Sequence, residues 1–283
     1  ALAGRHSLLI QSASGNGKTT VARAVARLLA EGEVYVPHAV DAQGEIVLVY
    51  DSALHGPAAP AGPTPAEHAG SRADGRWVRV RRPVVFLGAE LHADALEPAL
   101  DESSRCYSAP PQVKANNGVL VLDDLGRQVS TPATFLSRLT YLLEARSDRL
   151  AFRSGQHVDV PFEGVVILTT HLDLRELADP ALLRRIRHKV SLRAPTFDEY
   201  REIFRRACQR RGLSYDDSAL AHLLQRYYVQ PKAPLRAADP GEILDRLLDV
   251  AAFRQVRPSL ATDLLDMACR AYFGGAVDVA RAP

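Results

Sequence analysis

Sulfur, aromatic rings and long apolar runs are all scarce in this chain. It has one Met, one Trp and three Cys, and aromatic residues make up 6% of its 283 positions. The cysteines, Cys106, Cys208 and Cys269, stand far apart, with no C-x-x-C and no neighbouring histidine pair. That spacing fits reduced thiols in the cytoplasm better than a disulfide framework or a zinc site. No run approaches the roughly twenty apolar residues of a membrane helix and no signal peptide is recognisable, so membrane insertion is not expected. An excess of one charge is lacking too: 35 Lys and Arg face 33 Asp and Glu, a net +2. Nothing global points to nucleic acid or an anionic membrane as partner. What is plentiful is hydrophobic content, 47%, in a chain long enough for one large or two ordinary domains with a well-buried core. Met267 is the only methionine and the first motif follows Ala1 almost at once, the pattern of a piece of a longer protein.

That motif is the stretch from Ser12 to Thr20, SASGNGKTT, set between the apolar run Ser7–Gln11 and an amphipathic run with Val21, Val25, Leu28 and Leu29 at helical spacing. Strand, glycine-bearing loop and helix start make a phosphate cradle. The backbone N–H groups of Gly15, Asn16, Gly17 and Lys18 can converge on a β-phosphate, Lys18 can reach the β and γ oxygens, and Thr19 offers a hydroxyl to Mg²⁺. Ser12, Ser14 and Thr20 complete the expected nucleotide contact. Ser12 stands where the pattern G-x-x-x-x-G-K-[ST] has its first glycine, so a residue with a Cβ must make that turn. A chance Gly-Lys-Thr at a helix start would lack the flanking strand and stripe.

Val34–Val40 and Glu45–Tyr50 around Asp41-Ala42-Gln43-Gly44 predict a hairpin. Ser52 to Arg76, with Pro57, Pro60, Pro63 and Pro65 among alanines and glycines, predicts a mobile surface loop. Arg76 to Arg82 alternates basic with apolar side chains, which suits either a basic docking surface or a merely solvated strand face. Val119-Leu-Val-Leu122 then reads as a buried strand ending in Asp123-Asp124. Opposite Thr19, Asp123 would hold Mg²⁺ and Asp124 would orient or activate a water. Leu136, Leu139, Leu142 and Leu143 space a helix, and 149–152 with 157–160 form a second hairpin. The apolar strand Val165–Leu168 ends in Thr169-Thr170-His171, polar groups placed where a γ-phosphate would lie. Pro180 to Arg187 puts guanidiniums on a short helix end, as phosphate ligands or as a solvated basic face, and Lys189–Arg193 reads as a last strand. From Pro195 the pattern is helical: Thr196 caps a helix with Tyr200, Ile203 and Phe204, and three more carry Leu220/Leu223/Tyr227, Ile243/Leu244/Leu247 behind Pro240, and Leu264/Leu265/Tyr272.

This order resembles the AAA+ ATPases over nearly the whole chain. Ala115 to Asp124, Leu142-Leu-Glu144 and the hairpin running to Val160-Pro161 before Val165 look most like the branch with a hairpin before sensor 1, which includes magnesium chelatase, the MoxR-type ATPases and the replicative helicase of archaea and eukaryotes. The resemblance implies an α/β P-loop NTPase domain, a parallel sheet flanked by helices, over 1–194, a small all-helical lid over 195–275, and a tail at 276–283. It also implies ATP and Mg²⁺ as cofactors, a ring of identical subunits and a remodelled protein partner. Lys18 and Thr19 match Walker A, Asp123 and Asp124 Walker B, His171 the sensor 1 position, and Arg185, then Arg184, the arginine finger. Four departures stand out: Ser12 for glycine, Asp124 for glutamate, His171 for asparagine, and Gly241 near the expected sensor 2 arginine. Together they predict slow turnover, and they keep open a nucleotide-gated switch that does not hydrolyse. Asp123-Asp-Leu-Gly126 and Thr170-His-Leu-Asp173 allow a GTPase reading, in which His171 would replace the lysine that stacks on guanine.

Overall fold

The computed structural model describes residues 6–58, 74–177 and 180–274. By internal contacts the chain forms two compact units, Ala1–Ser12 with Lys18–Ser191, and Ala13–Gly17 with Leu192–Pro283. The middle of the loop expected at 52–76 and the tail at 276–283 lie outside the described residues.

In the first unit the strands are β1 (Leu8–Gln11), β2 (Glu33–Pro37), β3 (Ala39–Ala42), β4 (Glu45–Leu48), β5 (Trp77–Arg81), β6 (Val84–Leu87), β7 (Ala99–Asp101), β8 (Cys106–Ser108), β9 (Val119–Leu125), β10 (Ser147–Ala151), β11 (His157–Pro161), β12 (Val165–Thr170) and β13 (His188–Ser191). The helices are α1 (Lys18–Leu29), α2 (Pro111–Lys114), α3 (Pro132–Ala145), α4 (Leu174–Leu177) and α5 (Pro180–Arg185). Five strands make one sheet in the order β13-β1-β12-β9-β6, every neighbouring pair parallel. Val119–Leu122 and Val165–Leu168 are buried throughout, as continuous apolar runs must be when both faces of a parallel sheet are covered. Helix α3 supplies part of that cover. Thr131 caps it by accepting the Thr134 N–H, Pro132 starts it, and Phe135, Leu136, Leu139 and Leu142 pack into the cluster holding Leu120, Leu122 and Leu168.

Three sequence expectations change here. Helix α1 buries Ala22 and Ala26, not Val21 and Leu28, which are exposed; alanines let its backbone lie close to β9 and β12. The hairpin at 41–44 is made by β3 and β4 alone, turning through Gln43 and Gly44 at φ 59° and 93°, the left-handed pair a tight hairpin needs. Strand β2 leaves it to pair with β5, because His38 breaks the run: its carbonyl accepts the N–H groups of Val49 and Tyr50 and its own N–H goes to Arg76. The expected loop at 52–76 is anchored at its start. His55 is fully buried, its Nδ1 accepting from the Asp51 N–H at 2.9 Å and its Nε2 lying 2.8 Å from the Lys114 carbonyl, while Lys114 pairs with Asp51 at 2.9 Å. Strands β6, β7 and β8 carry no signal singled out in the sequence. The second hairpin forms as β10–β11 with Leu150 opposite Val158.

The second unit is built on α6 (Phe197–Arg210), α7 (Asp217–Leu224), α8 (Asp239–Phe253) and α9 (Thr262–Phe273). Thr196 and Glu199 form a reciprocal capping box on α6, and Asp216 caps α7. A π-helical turn, Gln225–Val229, follows α7 and brings the adjacent Tyr227 and Tyr228 both inward. Buried Asp239 accepts from Tyr228 at 2.7 Å and from Tyr272 at 2.6 Å, and the Tyr200 hydroxyl donates to that of Tyr228 at 2.9 Å. Burial pushes the Tyr200 and Tyr228 phenols well above the usual range, and the Cys208 and Cys269 thiols up to about 11 and about 12.

Candidate functional site

Everything at this site follows from where β1, β9 and β12 end. Beyond β1, Ser12 is buried and its N–H donates to the Thr170 carbonyl at 3.1 Å. It is absent from the described non-glycine residues with positive φ, so its Cβ meets no backbone penalty. The glycines that do turn left-handed are Gly15 and Gly17, at 84° and 82°. Helix α1 opens at Lys18, leaving the N–H groups of its first turn without intrahelical acceptors. Lys18 is buried, and its Nζ donates to the Ser12 carbonyl at 3.0 Å. Desolvation holds this ammonium below the usual lysine pKa with help from Arg127, while Asp124 and Asp123 pull the other way. Ser14 and Thr20 are exposed. The Asn16 Oδ1 is buried without a hydrogen-bond partner among the described residues.

The Thr19 hydroxyl meets the Asp123 carboxylate at 2.8 and 3.1 Å. Thr169, expected from the sequence only as one of three polar residues near a γ-phosphate, completes this corner against the acids instead. Its buried hydroxyl donates to Asp123 Oδ1 at 2.6 Å and accepts the Asp124 N–H at 2.8 Å. The sheet register explains how one Thr serves two acids. Leu168 is opposite Leu122, but Thr170 is opposite Leu125, so β9 carries an extra residue there and bulges, with Asp124 at φ 56°. The only sequence signal was the doubled Thr at the strand end; Thr170 instead donates to the Leu125 carbonyl at 2.7 Å. Gly126 follows at φ 111°, where a Cβ would stand 2.5 Å from Leu172 Cδ1.

Asp124 is held from two sides. Its Oδ1 lies 3.2 Å from His171 Nδ1 and its Oδ2 pairs with Arg127 Nε at 2.9 Å. Thus Lys18, Thr19, Asp123, Asp124 and His171 form one neighbourhood. Arg184 and Arg185 do not join it. They lie at the other end of the sheet, just before β13, on a cavity of about 510 Å³ whose wall also holds Arg146, Arg187 and Lys189. Arg185 is ion-paired with Glu144, and Arg184 is exposed.

In the helical unit, Gly241 is not placed at the loop 13–17; its carbonyl accepts from Arg211 Nη2 at 3.0 Å. The arginine against the loop is Arg236, whose Cδ lies 3.1 Å from where a Cβ on Gly15 would sit, and the Ala238 N–H donates to the Gly15 carbonyl at 2.9 Å.

The donor set at Thr19 and Asp123 is all oxygen, which suits a hard divalent cation such as Mg²⁺. Among the described residues no group of three or more His, Cys, Asp or Glu could hold a metal without help. Phosphate and water oxygens would have to fill the other positions, as Mg²⁺ sites on nucleotides do.

Residues 196–271 match a family described as a domain of unknown function (DUF8689). No curated protein matches the sequence. Among solved structures, NtrX from Brucella abortus in complex with ADP superimposes with a TM-score of 0.56 at 16% identity, over 93% of this chain and 50% of that one. The Holliday junction branch migration motor RuvB of Thermotoga maritima gives 0.50 at 14%, over 94% and 61%. This chain therefore spans about half to three-fifths of the length of those proteins. What these likenesses carry is the fold alone: a parallel sheet flanked by helices with a C-terminal helical region.

Proposed function

We propose that this chain binds ATP with Mg²⁺ and hydrolyses it, using the energy to remodel a protein partner within a ring of identical subunits. The observation that carries the reading is the Thr19–Asp123 contact beside buried Lys18, a hydroxyl and a carboxylate converging next to a helix start. Gly15, Asn16 and Gly17 would wrap the β-phosphate, with Ser12, Ser14 and Thr20 around them. Lys18 would neutralise the β and γ oxygens, Thr19 and Asp123 would take the metal, and Asp124 with His171 would handle the attacking water. The ADP bound to NtrX favours adenine over guanine, and His171, turned to Asp124, offers no support for the GTPase reading. The β10–β11 hairpin ahead of β12 supports the branch of magnesium chelatase and MoxR. No described helix is long and apolar enough to cross a membrane, and the three thiols are free, which favours the cytoplasm.

A second reading, a switch that binds ATP without hydrolysing it, is favoured by one observation: Arg127 occupies an oxygen of Asp124. Titration with a fluorescent ATP analogue and steady-state phosphate release separate the two. Lys18→Ala should abolish tight binding, and unchanged affinity would remove the phosphate-loop assignment. Asp124→Asn should keep binding and cut phosphate release by about 10² or more. Binding without any release in the wild type would leave the switch.

A further inference from the structure

We infer that His171 takes the proton from the attacking water and that Asp124 serves as its orienting carboxylate; this rests on the ATPase reading above. Three features of the site lead there. Asp124 is one methylene, about 1.5 Å, shorter than the glutamate its position resembles. Both of its oxygens are already engaged, Oδ1 by His171 at 3.2 Å and Oδ2 by Arg127 at 2.9 Å. Its backbone cannot advance to make up the reach, because its N–H is fixed to Thr169 in a left-handed bulge.

His171 has what Asp124 lacks. A carboxylate only accepts, so the ring must donate Nδ1–H to it, which leaves the lone pair of the neutral imidazole on Nε2. Nε2 has no hydrogen-bond partner among the described residues, and the side chain is 28% exposed, so it can meet a water. The pairing is that of a carboxylate orienting a histidine base. In the step itself, the water oxygen forms a bond to the γ-phosphorus while the bond from that phosphorus to the β–γ bridging oxygen breaks. The bridging electron pair leaves with ADP, and the water proton passes to His171 Nε2, from which solvent removes it. Asp124 stays ionised and holds the ring.

The test combines a spectrum with kinetics. In protein labelled with ¹⁵N-histidine, the His171 resonance, assigned by its loss in His171→Asn, should show Nε2 unprotonated in the nucleotide-free wild type and shift toward the Nε2–H tautomer in Asp124→Asn. His171→Asn should bind the ATP analogue within about threefold of wild type yet release phosphate about 10² or more slower. If His171→Asn hydrolyses normally while Lys18→Ala does not bind, the base assignment fails and the ATPase reading stands. If Arg127→Gln restores turnover to His171→Asn, Asp124 is the base and the inference is overturned. A wild-type Nε2–H tautomer overturns it as well, and a wild type that binds ATP but releases no phosphate overturns both this inference and the hydrolysis reading, leaving the switch.

Discussion

The hydroxyl of Thr169 and the carboxylate of Asp123 are 2.6 Å apart, and the same hydroxyl takes the N–H of Asp124. One buried oxygen thus fixes the direction of one acid and the backbone of the next. Thr169→Val keeps the shape and removes both bonds. A hydrogen bond to a charged group is worth about 1.5–3 kcal/mol, so Mg²⁺-dependent ATP affinity should fall about tenfold or more, with Thr169→Ser close to wild type. Equal affinities for the three proteins, titrated with and without Mg²⁺, would mean that this hydroxyl does not organise the metal corner.

Thr169 also marks the limit of what the sequence discloses. The glycine-bearing turn before α1, the two acids after the β9 run and the strand ending at Thr170 are legible because each follows from a local pattern, a glycine spacing or an apolar run with a polar end. The bulge that seats Thr169 between two acids is a matter of register between β9 and β12, strands far apart in sequence, and no local pattern encodes it. The same holds for β2. Its composition predicts a strand, but choosing β5 over β4 as partner depends on His38 turning the chain. The helical unit is more fully legible, since caps and 3.6-residue stripes are local, though the Tyr200–Tyr228–Asp239 chain inside it is not.

That chain predicts a stability effect unrelated to nucleotide. Asp239 is 2% exposed and accepts from two tyrosines. Asp239→Ala would leave the buried Tyr228 hydroxyl and the half-buried Tyr272 hydroxyl without their acceptor, a cost of about 1–3 kcal/mol, mostly from Tyr228. Thermal unfolding followed by circular dichroism should show a clear loss, smaller for Asp239→Asn, which keeps an acceptor. A melting temperature unchanged in Asp239→Ala would show that the network contributes nothing net.

Glu199 gives a pH dependence with a defined sign. Its bonds to Arg193 and to the Thr196 N–H hold its carboxyl at about 2, below the ordinary 4.5. A depressed folded pKa means that the stabilisation is complete above about pH 4.5 and fades as pH falls toward 2. Glu199→Gln keeps the capping geometry and removes the titration. Its melting temperature should lie below wild type at pH 7 and converge on it near pH 2; parallel curves across that range would rule out this residue as a source of acid sensitivity.

Arg185 is expected to act on the ATP of a neighbouring subunit, although it is ion-paired with Glu144 in its own. Magnitude decides whether that pair matters. Glu144 is about half exposed, and exposed ion pairs contribute only about 0–1 kcal/mol, whereas a guanidinium supplied in trans to a γ-phosphate can raise turnover by about 10³ or more. On the ring proposal, a neighbour's phosphate would displace Glu144 from Arg185. Activity per subunit should therefore rise with protein concentration, and Glu144→Gln should raise turnover modestly by freeing the arginine. Lys18→Ala keeps a good guanidinium and loses its site; Arg185→Ala does the reverse. Each alone should be nearly inactive, and mixing them under subunit exchange should restore part of the activity, because some interfaces then join an intact site to an intact arginine. Arg184, exposed beside it, is the comparison. If Arg184→Ala complements Lys18→Ala and Arg185→Ala retains wild-type turnover by itself, the role belongs to Arg184, and Glu144→Gln should then leave turnover unchanged. If neither mixture recovers activity although mixed oligomers form, neither Arg184 nor Arg185 reaches across to a neighbour.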